Sequence, residues 1–364
     1  MTSKKKNTGA LSEKKGVIQP DSLNQKVANK VKASRKKTPQ LSEIINGLTE
    51  GNKASLSRAI TLIESTAIQH QIKAKQLIEA CLPLANKSVR IGITGVPGVG
   101  KSTFIEQFGK LLVDRGSKVA VLAVDPSSSI SKGSILGDKT RMEALVNESN
   151  AFIRPSASGD SLGGVARKTR EAIILCEAAG FDIIIIETVG VGQSETAVHS
   201  MTDFFLLLKL AGAGDELQGI KRGIIEMADA IVINKADGEN IKAAKLAKTE
   251  FNRALHLYPA KESQWTPKTL LSSALKNEGI SEIWELIEGY INKTKANNYF
   301  SEKRKQQNKF WLTQTIENRL KHDFFSQPAI KKELENQLRA LDANETTPFE
   351  AAETLLAMSS NRTN

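Results

Sequence analysis

Five short apolar runs punctuate the middle of the chain. They are "VRIGIT" (Val89–Thr94), "KVAVLAVD" (Lys118–Asp125), "FDIIIIET" (Phe181–Thr188), "DFFLLLKL" (Asp203–Leu210) and "ADAIVINK" (Ala228–Lys235). Most lack polar alternation, as strands covered on both faces do. Helical stretches lie between most of them. Such alternation, with loops at the strand ends, predicts an α/β fold: a doubly wound, mostly parallel sheet from about residue 88 to 295. Ligands of such sheets sit beyond the carboxyl ends of the strands.

The period changes on either side. In the region 41–87, Leu41, Ile44, Ile45 and Leu48 form one helical stripe, and Leu56, Ile60 and Ile63 another. After residue 295 the strands stop. Leu312, Ile316, Leu320 and Phe324 recur every four residues, and Ile330, Leu334, Leu338 and Leu341 make a second stripe. "TPFE" (Thr347–Glu350) has the form of a capping box opening a third helix. The segment 296–364 therefore reads as a helical arm that packs on something. A second copy of the chain is the reading taken, and folding back on its own chain is the alternative.

Charge separates off the first forty residues. They hold eleven Lys/Arg and two acids, while the other 324 residues carry 40 basic and 38 acidic groups. The overall charge of +11 is thus mostly a property of the tail. Residues 1–40 read as a solvated, disordered arm, and nucleic acid is not expected as a partner. The tail is rich in Lys rather than Arg, which fits a mitochondrial presequence poorly. No apolar run approaches the roughly 18 residues of a membrane span. "FFLLLKLAGAG" is too short and is interrupted by Lys209, and no secretory core is expected at the N-terminus. Cys81 and Cys176 match no metal spacing and read as buried thiols in a reducing compartment. The expected location is cytoplasmic, or the mitochondrial matrix in a eukaryotic host.

Phosphate chemistry enters with "GVPGVGKS" (Gly95–Ser102). It fits G-x-x-x-x-G-K-[ST] between a strand and a helix, the context that pattern requires. Gly95, Gly98, Val99, Gly100 and Thr103 belong to a loop and helix start whose backbone N–H groups can cradle phosphates. Lys101 would reach the β- and γ-phosphates, and the Ser102 hydroxyl would bind Mg²⁺. "NKAD" (Asn234–Asp237) follows a strand and matches N-K-x-D. The Asp237 carboxylate can accept from both donors on the guanine edge. Adenine would leave it unpaired, a large discrimination. Asn234 and Lys235 would buttress the base. "SSAL" (Ser272–Leu275), with Ser273 and Ala274, fits a last base-contacting loop. The nucleotide is therefore expected to be GTP or GDP.

Two strand ends offer a carboxylate to a Mg²⁺ shell, Asp125 in "AVDPSSS" and Glu187 in "IETVG", and Asp138 lies in "ILGDKTRM". Asp138 read as a helix cap and Glu187 as a structural group are the alternatives. Glu adds a methylene over the usual Asp, so it reaches farther. Gly190 stands where a backbone N–H can meet the γ-phosphate. The loop "VGVGQSE" is small enough to act as a nucleotide-sensing switch.

These motifs together resemble the MeaB/ArgK-type GTPases, the family of the methylmalonic aciduria type A proteins. The resemblance runs from "RAITLIES" (Arg58–Ser65) to at least residue 295. It rests on "GVPGVGKST", "VDPSSSISKGSILGDKTRM", "FIRPSASGDSLGGVA", "ETVGVGQSE", "LQGIKRGIIEMAD" and "NKAD". Glu187 in place of Asp is a mark of that family. Asp160 departs from the small or hydroxyl residue expected there, and residues 1–40 find no counterpart. The resemblance implies a slow GTPase that chaperones an adenosylcobalamin-dependent acyl-CoA mutase, chiefly methylmalonyl-CoA mutase, and that dimerises through its C-terminal helices. It also implies that Asp125, Asp138 and Glu187 belong to the Mg²⁺ shell and that Gln193 sits in the second switch. Gln218 and Lys221 would belong to a third, partner-sensing switch. Two other classes compete. A kinase acting on transport proteins would need an acceptor domain and a catalytic Asp signature, which the chain lacks. A nickel-insertion GTPase would need His/Cys clusters, and the 4 His and 2 Cys here have no metal spacing.

Overall fold

Strand β1 (Val89–Gly95) is buried almost throughout, as its unbroken apolar run requires. It lies inside a sheet of seven strands, all parallel, in the order β3-β2-β4-β1-β5-β6-β7. The computed structural model describes residues 39–124, 142–155, 162–188, 194–212 and 222–360. The five strands read from the sequence are β1, β2 (Val119–Val124), β4 (Ile183–Thr188), β5 (Phe204–Leu210) and β6 (Ala230–Asn234). Two further strands close the edges: β3 (Ala151–Arg154) and β7 (Lys268–Leu271). Each is four residues long and partly exposed, too short to show a period in the sequence.

The chain leaves β1 towards β2 on one side, whereas it leaves the adjacent β5 towards β6 on the other. That reversal opens a crevice at the carboxyl ends of β1 and β5, where Gly95 pairs with Leu208.

Helices cover both faces. Three precede the sheet: α1 (Leu41–Thr49), α2 (Lys53–Glu64) and α3 (Ile68–Cys81). Asn52 caps α2, its Oδ1 accepting from the backbone N–H of Ala54 at 2.9 Å and of Ser55 at 3.0 Å. The predicted stripe Leu56, Ile60, Ile63 is buried. Within the sheet region follow α4 (Lys101–Asp114), α5 (Glu143–Val146), α6 (Leu162–Ala178), α7 (Ser194–His199), α8 (Arg222–Met227), α9 (Ile241–Leu255) and α10 (Ile280–Ala296). On one face Phe104 and Phe108 of α4 and Trp284 and Ile287 of α10 pack on Ile91, Ile93, Phe204 and Leu206. Cys81 and Cys176 are buried free thiols, and burial raises the Cys81 thiol to about 11.

The C-terminal region is helical: α11 (Tyr299–Phe325), α12 (Pro328–Asp342) and α13 (Pro348–Ser360). Thr347 caps α13, its Oγ1 accepting from the Glu350 N–H at 3.2 Å. The two halves of α11 differ. Lys303, Arg304, Gln307 and Trp311 are buried, whereas Leu312, Ile316 and Leu320 are 64%, 50% and 65% exposed. Of the second stripe, Ile330 is buried and Leu338 exposed. Among the described residues, no helix is long and apolar enough to cross a membrane.

Candidate functional site: a nucleotide crevice

The loop after β1 is made possible by its glycines. A Cβ on Gly95 would stand 2.6 Å from the Leu208 carbonyl oxygen, so β5 can lie against the loop only if residue 95 has none. Gly100 has φ +92°, and a Cβ there would meet Asn234 Nδ2 at 2.9 Å. Gly100 forms the cap of α4, so the N–H groups at the start of that helix face the crevice side of the loop. Val99 is buried, while Ser102 is half-buried and Thr103 exposed in the first turn of α4.

Lys101 is 9% exposed, and its Nζ donates to the carbonyls of Gly95 at 2.8 Å and Val96 at 3.3 Å. Burial pushes its ammonium below the usual lysine range, and the charges of Glu187 and Glu195 pull it partly back. Glu187 is buried at the carboxyl end of β4, in register with Ile93 of β1 and Ala123 of β2. Its neighbour Thr188 donates from Oγ1 to Thr94 Oγ1 at 2.8 Å, tying β4 to the residue before the loop. Glu195 is likewise buried, in the first turn of α7. The sequence did not single it out, because nothing local marks it as close to Lys101, ninety-four residues earlier.

The N-K-x-D residues do something the sequence reading did not anticipate. Asn234 Nδ2 donates to the Val99 carbonyl at 2.8 Å and Lys235 Nζ to the Gly98 carbonyl at 2.8 Å, so both hold the phosphate loop. Lys235 takes φ +58°, which costs of order 1 kcal/mol for a residue with a side chain. Asp237 accepts a short hydrogen bond from the Ser273 hydroxyl. The strand-like pairing continues past the strand ends, with Ser272 N–H on the Ile233 carbonyl and Ala236 N–H on the Ser272 carbonyl, each at 3.0 Å. Asn234, Asp237, Ser273 and Ala274 are thereby brought together beside the loop.

Two buried polar atoms here, Asn234 Oδ1 and Ser272 Oγ, have no hydrogen-bond partner among the described residues. Buried polar groups are seldom left so. Asn234 bonds the phosphate loop through its other atom, and Ser272 pairs with Ala236, the residue before Asp237. Asp125, Asp138, Gly190, Gln193 and Lys221 lie outside the described residues. Asp125 directly follows Val124, the last residue of β2, which pairs with Thr188.

A family model described as methylmalonyl Co-A mutase-associated GTPase MeaB matches residues 56–329. The chain belongs to the MeaB family of GTPases. It is 51% identical over 310 residues to a putative GTPase of Caulobacter vibrioides, covering 85% of this chain and 95% of that one. It is 45% identical over 323 residues to the mitochondrial methylmalonic aciduria type A homologue of Mus musculus, covering 86% and 78%. The solved structure of a LAO/AO transport system kinase matches with a TM-score of 0.72 at 38% identity, covering 90% of this chain and all of that one. This MeaB-family protein is a P-loop GTPase: it binds guanine nucleotide and hydrolyses GTP.

Proposed function

We propose that this GTPase is a chaperone of an adenosylcobalamin-dependent acyl-CoA mutase, methylmalonyl-CoA mutase before others. It would gate cofactor loading and protect or reactivate the mutase. The observation that carries this reading is the match to the mutase-associated GTPase model over residues 56–329. That span contains every nucleotide motif and both buried acids near Lys101.

Within the site, the reading assigns Gly95, Gly98, Val99, Gly100 and Thr103 to the phosphate cradle. Lys101 neutralises the β- and γ-phosphates, exchanging its two carbonyl partners for phosphate oxygens. Asp237 reads the guanine edge while Ser273 fixes its carboxylate, and Ala274 lines the base. Asn234 and Lys235 act from beneath, by holding the loop. A hard divalent cation fits the donor set, since a hydroxyl at the helix start and a buried carboxylate at an adjacent strand end are oxygen ligands. Ser102 and Glu187 would hold Mg²⁺, with Asp125 and Asp138 from the sequence. When bound, Mg²⁺ neutralises charge building on the phosphates. Gly190 and Gln193 are assigned to the γ-phosphate and the attacking water, and Lys221 to sensing the partner.

The exposed stripe Leu312, Ile316, Leu320 supports a homodimer through the C-terminal helices, because a run of large apolar side chains along one helix calls for a covering partner. The name of the solved relative offers a second reading, phosphotransfer to a transport protein. The two differ in product: inorganic phosphate for the chaperone, a phosphoprotein for the kinase. Light scattering on the protein mixed with methylmalonyl-CoA mutase tests the proposal. A dimer that joins the mutase in a nucleotide-dependent complex is expected. A monomer, or no complex in any nucleotide state, would sink it.

A further inference from the structure

We propose that Gln307 and Trp311 are positioning residues for GTP hydrolysis, acting through helix α7 from the opposite end of the sheet. Helix α7 begins at Ser194 and brings Glu195 close enough for its charge to act on Lys101. It sits tightly on β1. A Cβ on Gly92 would meet Phe205 Cδ2 of β5 at 2.8 Å, Val198 Cγ1 of α7 at 3.0 Å and Thr202 Cγ2 of the following turn at 3.1 Å, so the missing side chain lets α7 and its turn lie against β1. Gly92 lies three residues before the phosphate loop. A shift of α7 is thus a shift against both Lys101 and the strand that carries the loop.

With six residues, α7 is far too short to be stable by itself. Its far end runs into the turn Ser200–Asp203, and three carbonyls of that turn are taken by one stripe of α11. Trp311 Nε1–H donates to the Ser200 carbonyl at 3.1 Å. Gln307 Nε2 donates to the Thr202 carbonyl at 2.8 Å, and Lys303 Nζ to the Asp203 carbonyl at 2.7 Å. The donors are four residues apart, one per turn, so they face the same way. On another side, His199 borders a cavity of about 280 Å³, shared with Asp229, Tyr299 and Lys303. That side leaves room for the helix end to move. On β1 the Arg90 carbonyl takes the Asp203 N–H at 2.8 Å, and α11 holds the remaining side of the turn through its three carbonyls.

The same helix carries the exposed Leu312, Ile316 and Leu320 directly beyond Trp311. Whatever covers those side chains acts on the element that sets α7. By reciprocity, the nucleotide state then acts on the cover.

Steady-state GTP hydrolysis by the full chain tests this. Trp311→Phe keeps the ring and removes the N–H; Gln307→Met keeps the length and removes the donor. Each is expected to lower kcat by about three- to tenfold, with the KM for GTP and the affinity for GDP within about twofold of wild type. The double variant should lose less than the product of the two, because both act on one turn. Lys305→Ala is the control. Lys305 lies on the exposed side of α11, where it pairs with Glu302, and its loss should leave kcat unchanged. Wild-type kcat in both Trp311→Phe and Gln307→Met, with only the thermal midpoint lowered, would reduce the contacts to structural glue. An equal fall of kcat in Lys305→Ala would show a general loosening of the helix. Either result overturns the proposal.

Discussion

In the proposed reading, Asp237 selects the base. Its carboxylate is oriented by Ser273 and stands beside two buried polar atoms that lack partners. In Asp237→Asn the amide oxygen can still accept from Ser273, so the fold should survive. GTP binding should weaken by at least about a hundredfold, while xanthosine triphosphate, whose 2-oxo group accepts from the new amide, should gain. Titration with fluorescent analogues of both nucleotides checks this. His199 gives a pH signature. Burial, aided by Lys303 and Lys261 and opposed by Asp229, lowers its imidazole from 6.5 to about 4. The unfolded chain therefore binds a proton that the folded chain refuses between those values. Stability is fully present above pH 6.5 and falls as pH drops towards 4, by up to about 3 kcal/mol. Urea titrations across this range should show the loss, and His199→Gln should flatten it. At this scale, the residue types and spacings of the loop and of N-K-x-D were legible in the chain. The partners were not. Asn234 meets the Val99 carbonyl across 135 positions, and Glu195 acts on Lys101 across the sheet. Nothing in either local sequence records such a meeting.

Among the elements, the central strands could be read because burial on both faces forces an unbroken apolar run. The edge strands β3 and β7 could not, since a half-exposed four-residue segment need not look like anything. Helix α11 is the instructive case. Its stripe Leu312, Ile316, Leu320 was visible as a period of four. Its buried half is polar, with Lys303, Arg304 and Gln307, and composition alone would put those residues in water. Arg304 grips Asp203 with two hydrogen bonds, Nε to Oδ1 at 2.8 Å and Nη2 to Oδ2 at 2.7 Å. It also donates to the carbonyls of Asn86 at 2.9 Å and Ser88 at 2.6 Å. Arg304→Ala would leave the 1%-exposed Asp203 carboxylate without its guanidinium partner, and should cost about 3–5 kcal/mol. Chemical denaturation is the check. A loss under about 1 kcal/mol, the range of exposed pairs, would mean that the start of α11 is not anchored here.

The whole molecule joins a GTP-hydrolysing sheet to helices whose outer face is apolar and exposed. Between them, α11 is bonded to the turn that ends α7, and α7 carries Glu195, whose charge acts on Lys101. In the proposed reading, a partner seated on the exposed stripe acts through α11 and α7 on the site. The expected intrinsic rate is slow, since no arginine is fixed at the γ-phosphate among the described residues. The direct measurement is GTP turnover by the purified protein, with and without methylmalonyl-CoA mutase, followed by phosphate release. Binding of the mutase should raise turnover by about one to three orders of magnitude. Turnover unchanged by that mutase and by any other adenosylcobalamin-dependent acyl-CoA mutase would contradict the chaperone function.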